Sequence, residues 1–294
     1  MNLPALLLVA AAAAAPVHAS PTLHEFAFTS CEGLICFPVR LPDGSARTFV
    51  LDTGNVHSAL AADTAAAAGL ATHPAHGRNG QPIPGISETD VIPLHLGDIG
   101  LDAKLLVFDR KDMGPMPHPF DGTLAFTDLK DRVIEIDFPH HRLRISDPEN
   151  GPLQLRKGAL KAITFGQHGP PILTGGPFTI DGKTVQAQID TCFTGSMVVY
   201  DAALSALGLG TVAQQAAQAR TFPYTDGGVS MREAAARSIG FAGRALPIPS
   251  PRVYFPTPGV HQPDGLFEAT VGTELFSGSV LTLDLHSMTF DVAP

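Results

Sequence analysis

Apolar residues in this chain gather in short runs broken by Asp-Gly, Pro and Gly, a pattern of many short strands joined by tight turns. The clearest case is "FPVRLPDGSARTFVLDTG", residues 37–54, which reads as a strand, an Asp43-Gly44 turn and a second strand running into Asp52. "FTIDGKTVQAQIDTC", residues 178–192, repeats it, with Asp181-Gly182 as the turn and Asp190 at the tip. Glycine suits both turns because it accepts positive φ without a steric cost. After each aspartate comes a short apolar piece and then a helix-like run, "SALAADTAAAAGL" (58–70) and "SMVVYDAALSALGL" (196–209). Gly69 and Gly208 stand where helix C-caps belong.

The two aspartate turns are 138 residues apart, and the likeness continues beyond them. "DGTLAFTDLKDRVIEIDF" (121–138) lies over "EATVGTELFSGSVLTLDL" (268–285) without a gap, at an offset of 147. "PLHLG" (93–97) over "ARSIG" (236–240) gives an intermediate offset of 143. Matched blocks in one order indicate two copies of a β-rich unit. Their junction is expected near "SDPENGPLQ" (146–154), which makes 20–148 an N-terminal lobe and 149–294 a C-terminal lobe.

Composition narrows the function classes. The 294 residues are 44% hydrophobic and 16% charged, enough for a real core. A net charge of −9 argues against nucleic acid, which needs a basic surface to displace counterions. Residues 1–19 combine an apolar stretch with Val17-His18-Ala19, a small-x-small cleavage pattern, but carry no Lys or Arg in front of it. They read as a signal peptide, the alternative being a short buried or membrane helix. With export, the mature protein is expected to be periplasmic or secreted, without stable membrane association. In an oxidising compartment Cys31 and Cys36 close a small loop; the alternative is two buried free thiols. Cys192 is then left over, two residues after Asp190. His73, His76, His140 and His141 have no ligand partner at a recognisable spacing, so neither metal nor cofactor is expected.

Two carboxylates held face to face cannot both ionise easily, so they share a proton and supply an acid and a base at one pH. A duplicated unit places Asp52 and Asp190 in that relation through its twofold axis. Thr53 and Thr191 carry hydroxyls able to bond across the axis. The residue after each, Gly54 and Cys192, offers a backbone N–H to a carboxylate.

The duplicated Asp-Thr turn after an apolar strand resembles the aspartic proteases of the pepsin and retropepsin type. Phrases such as "IDTCFTGSMVVYDAALSALGL" are nearer to bacterial retropepsin-like aspartyl proteases. The resemblance implies a mostly β fold of two closed β-barrel lobes with short helices, a cleft between them and a hairpin flap. It implies Asp52 and Asp190 as the catalytic pair. It also implies an apolar stretch crossing behind each turn, here Val271-Gly272 and Leu124-Ala125, the latter with Ala in place of Gly. Cys192 stands where the second turn usually has Gly. Flap candidates are 77–90, with Pro84 and Gly85, and 222–233, with Tyr224, whose alternative reading is a surface tyrosine. The activity implied is hydrolysis of peptide or protein substrates by a monomer. The alternative is a peptide-binding protein that kept the fold and lost catalysis.

Overall fold

The computed structural model describes residues 23–77, 80–113, 120–148, 158–164, 171–222, 229–257 and 265–294. The segment 1–19, most of the proposed junction and Tyr224 lie outside them.

The first strand pair forms as the sequence indicates. Leu34–Arg40 runs antiparallel to Ala46–Asp52. Gly44 at φ +83° turns the chain, and the Asp43 carboxylate accepts the Ser45 N–H at 2.9 Å. The strand Gly122–Ala125 then lies parallel to Ala46–Asp52, with Asp52 opposite Ala125. On its other side it pairs antiparallel with Ala59–Ala61. The inserted strand thus separates the passages before and after Asp52, and the aspartate is left at the tip of a loop crossing over it. The sheet continues through Ile99–Phe108 and Pro82–Leu96 to Thr72–His76, and a pairing of Arg40 with His95 closes it on itself.

The second lobe has the same order: Pro171–Ile180, Lys183–Ile189, Ala269–Val271, Met197–Val199, Arg252–Pro256, Val229–Ala235 and Ala217–Phe222. Parallel pairs occur at the matching places, Lys183–Ile189 with Ala269–Val271 and Met197–Val199 with Arg252–Pro256. Closure comes from Ile239–Phe241 pairing back onto Pro171–Ile180. Helices Ala62–Ala67 and Asp201–Leu207 follow the two turns and end before Gly69 at φ +65° and Gly208 at φ +63°.

Between the lobes lie six strands in the order Leu23–Ala27, Arg142–Ser146, Val133–Asp137, Val280–Asp284, Thr289–Ala293 and Gly158–Thr164. At the centre Val133 pairs with Asp284, Glu135 with Thr282 and Asp137 with Val280. Each residue therefore faces the counterpart of its own mirror position at the 147 offset, and a pseudo-twofold axis passes between Glu135 and Thr282. Phe138 and Phe276, with ring centroids 6.1 Å apart, carry the hydrophobic core across this seam.

The intermediate offset of 143 is corrected. The turn that joins Leu96 to Ile99 matches the turn that joins Phe241 to Arg244, an offset of 145. Gly97 sits in its turn at φ +56°, whereas Gly240 is inside a strand, where a Cβ would come within 2.5 Å of the Arg244 carbonyl oxygen. Two glycines of different purpose had lined up. The long hairpin of the first lobe is also broken in the second, where "LPIPSP" interrupts the returning strand.

Candidate active site

Asp52 closes the strand Ala46–Asp52, and Asp190 follows the strand Lys183–Ile189 directly. Both side chains are buried, at 7% and 4% exposure. The threonines lock the two turns reciprocally. The Thr53 N–H donates to Thr191 Oγ1 at 3.0 Å, and the Thr191 N–H donates to Thr53 Oγ1 at 3.1 Å. Each hydroxyl then donates into the opposite lobe, Thr53 to the Ile189 carbonyl at 2.8 Å and Thr191 to the Leu51 carbonyl at 2.6 Å. These four bonds, buried and mutually satisfied, hold the aspartate tips together.

Each carboxylate accepts from the turn that carries it. Gly54 N–H donates to Asp52 Oδ1 at 3.0 Å, and Cys192 N–H donates to Asp190 Oδ1 at 2.8 Å. The Phe193 N–H adds a bond to Asp190 at 3.2 Å. Gly54 is required by close approach and not by backbone angle: a Cβ there would lie 2.3 Å from Asp190 Cγ. The carboxylate of one lobe therefore rests against the glycine of the other. Burial, and next the charge of Asp190, push the Asp52 carboxyl up to about 7; the Cys192 thiol and the Gly54 and Asn55 N–H groups oppose this. The titration belongs to the pair.

Cys192 does not disrupt its turn. Its amide keeps the bond a glycine would make, and its backbone is outside the left-handed region. The half-buried side chain packs towards Leu34, Cys36, Val50 and Phe120 of the first lobe, with Sγ 3.8 Å from the Leu51 carbonyl. Burial, followed by the charges of Asp52 and Asp190, pushes its thiol well above the ordinary range. Cys31 and Cys36 are joined by a disulfide beside the same cluster, their Cα atoms 5.9 Å apart.

The stretches behind the turns differ in one instructive way. Val271 and Gly272 lie under the Asp190 turn, where a Cβ on Gly272 would fall 2.1 Å from the Phe193 carbonyl oxygen. Gly272 N–H accordingly reaches the Ser196 carbonyl directly, at 3.0 Å. In the first lobe Leu124 and Ala125 are fully buried, and the Ala125 N–H donates to Ser58 Oγ at 2.8 Å. Ser58 donates in turn to Asp128. A hydroxyl thus spans the gap that the Ala125 methyl imposes. Burial pushes the Asp128 carboxyl up, against the Ser58 bond and the nearby His57.

The flap candidate 77–90 includes the turn between Thr72–His76 and Pro82–Leu96. Pro84 and Gly85 lie on the exposed returning strand Pro82–Leu96, not at a hairpin tip. The tip is closed by Gly77 and Gln81, with Gly80 at φ +73°. Sequence reasoning missed Ser58, Asp128, Gln188, Tyr200 and Thr270. Ser58 and Ser196 occupy equivalent places in the repeat, a signal that was available. Gln188 precedes Asp190 by two positions and so shares its face of the strand, a polar residue where the first copy has Val50.

No protein-family model matches the chain. No curated protein matches it in sequence. Solved structures do match, 389 chains, so the likeness is one of shape and not of sequence. An aspartic proteinase from Irpex lacteus superposes with a TM-score of 0.52 at 11% identity, over 92% of this chain and 97% of that one. Basic 7S globulin from soybean gives a TM-score of 0.47 at 12% identity, over 93% and 94%. At such identities what is shared is architecture, and the chain has the two-lobe, mostly β fold of the pepsin-like aspartic proteinases.

Proposed function

We propose that this chain is an aspartic endopeptidase whose catalytic pair is Asp52 and Asp190. The observation that carries the reading is the reciprocal Thr53–Thr191 bonding, which sets two buried carboxylates at one axis. The pair retains one proton. Its ionised member takes a proton from water, and its protonated member gives one to the carbonyl oxygen of the substrate peptide. Water oxygen bonds to the carbonyl carbon, and a tetrahedral diol forms. A proton then passes to the amide nitrogen, the C–N bond breaks, and the pair returns to its starting charge. Gly54, Cys192 and Phe193 keep the carboxylates in place by their N–H groups. The pushed-up Cys192 thiol does not suit a cysteine nucleophile.

Export belongs to the same proposal. Residues 1–19 are assigned as a signal peptide, and the Cys31–Cys36 disulfide fits an oxidising periplasmic or extracellular setting. Substrates are peptides or proteins, and the acting form is the monomer. The bacterial retropepsin-like affiliation rests on the sequence phrases. A second reading, a peptide-binding protein without turnover, is favoured by Cys192 in the second turn. Incubation of the purified mature protein with a mixed peptide library at pH 3–8, with and without a statine-type transition-state mimic, tests both. Cleavage suppressed by the mimic supports the endopeptidase. Tight binding of the mimic without any cleavage supports the second reading.

A further inference from the structure

A strand alternates its side chains between two faces, so the residue two positions before each aspartate points to the same side as the carboxylate. Those residues are Val50 and Gln188, counterparts at the 138 offset. The pair lies at the pseudo-twofold axis. A peptide bond held there sends its two flanking side chains towards opposite lobes, and the two lobes meet them with different chemistry.

On the first-lobe side the surroundings are apolar. Val50 is fully buried in a cluster with Leu34, Cys36 and Phe120, and half-buried Phe108 and Cys192 pack against it. Thr123, opposite Val50 in the neighbouring strand, keeps its Oγ1 buried and without a hydrogen-bond partner, so it offers nothing to the cleft.

On the second-lobe side the surroundings are polar. Gln188 is half-buried. Its Nε2 donates across the lobes to the Gly54 carbonyl at 3.0 Å, and its Oε1 accepts from Thr270 Oγ1 at 3.3 Å. Thr270 also bonds the Tyr200 hydroxyl at 2.9 Å, and with the Thr270 proton committed to Gln188, Tyr200 is the donor. The counterpart of Tyr200 is Ala62, which has no side-chain group to offer. The Gln188 amide is thus held at both ends. Those bonds use one N–H and one lone pair, and a primary amide has two N–H groups and two lone pairs on its oxygen. An apolar side chain laid over the remaining N–H and lone pair would strip their water and return nothing. A neutral amide or hydroxyl can satisfy both. A carboxylate would meet the negative charge of the pair.

We propose that the substrate is a peptide cleaved between an apolar residue and a neutral hydrogen-bonding one (Asn, Gln, Ser or Thr), and that Gln188 is the residue that sets this preference. The inference rests on the dyad reading above. The apolar residue packs by Phe108, Phe120 and Cys192, and the polar one bonds to Gln188. Thr270 and Gly54 fix the Gln188 amide before substrate arrives, so its edge is presented in one orientation.

The test is calorimetric binding of three non-cleavable peptides, in which the scissile C=O is replaced by CH2, flanked by Leu–Gln, Gln–Leu or Leu–Leu. The full mature protein is used as wild type, Gln188→Met and Tyr200→Phe, with thermal unfolding to check that each variant folds. Wild type should bind the better of the two mixed peptides about tenfold more tightly than Leu–Leu. Gln188→Met keeps the length and loses the hydrogen-bonding edge, and should cancel or reverse that preference with Leu–Leu affinity held within about threefold. Tyr200→Phe should narrow the preference in the same direction. A uniform weakening of all three peptides in Gln188→Met marks a structural role and overturns the proposal. Equal or tighter binding of Leu–Leu by wild type overturns it as well, as does the absence of any binding. Binding needs no turnover. The expected preference without cleavage of the matching natural peptides would count against the endopeptidase reading alone, and cleavage without the preference would count against this inference alone.

Discussion

Thr53 and Thr191 donate to one another across the pseudo-twofold axis, backbone N–H to hydroxyl in both directions, at 3.0 and 3.1 Å. The exchange makes the relative position of two aspartates, 138 residues apart, a property of local backbone geometry. Thr53→Val removes a hydroxyl and leaves the Thr191 N–H and the Ile189 carbonyl buried without their partner. Stranding those groups should cost about 2–4 kcal/mol in denaturant unfolding, whereas Thr53→Ser, which keeps the hydroxyl, should stay within about 1 kcal/mol.

Gly54→Ala should be far more harmful to activity than its size suggests. The new methyl would meet the Asp190 carboxyl carbon at 2.3 Å, so the Asp190 carboxylate or the Gly54 turn must move. Displacement of a reacting group by about 1 Å can cost ~100-fold in rate. A peptide-cleavage assay should show a kcat loss of that order. The matching change in the second lobe already exists as Cys192, which keeps its N–H bond to Asp190 at 2.8 Å.

Cys192 should be slow to alkylate. Its thiol is pushed well above the ordinary range, by burial first and then by Asp52 and Asp190, so little thiolate is present near neutral pH. Iodoacetamide labelling at pH 8, followed by mass spectrometry, should be slow in the folded protein and should accelerate in urea. Cys192→Gly should raise the Asp52 midpoint, because the thiol is one of the groups that lowers it.

Stability should fall with pH on account of the pair. The Asp52 carboxyl is pushed from the usual 3.8 up to about 7, by burial and then by Asp190, so the folded state binds its proton more tightly than the unfolded chain does. That contribution is fully present below about pH 4 and is lost as pH rises to about 7. Asp190→Asn removes the facing charge and should flatten the loss. Its Tm should exceed that of wild type at pH 8, with about 2–4 °C for each kcal/mol recovered. The gap should close towards pH 4.

Much of this was legible in the chain. Strand, turn, strand and aspartate could be read twice because alternation and Asp-Gly turns are local signals, and Gly44 and Gly182 do adopt φ of +83° and +85°. The 147 offset marked 133–137 and 280–284 as copies of one element, but their pairing with each other is a tertiary contact that the offset does not specify. What escaped was tertiary. Gln188 reaches a carbonyl 134 residues away, and nothing local marks that partner. Gly97 and Gly240 share a letter but not a cause, one making a turn and the other yielding to a nearby carbonyl. Pro84 and Gly85 look like turn residues, yet they lie on an exposed strand, in the irregular stretch between the Pro74–Ser87 and His76–Pro82 pairs, where Gly85 takes φ +76°.

The most direct test of the dyad is cleavage of a single reporter peptide by wild type, Asp52→Asn and Asp190→Asn across pH 3–8, with folding of each confirmed by circular dichroism. The account predicts cleavage by wild type that declines as the second carboxylate ionises near pH 7, and a loss of about 1,000-fold or more in both variants. Wild-type rates in either folded variant would contradict it.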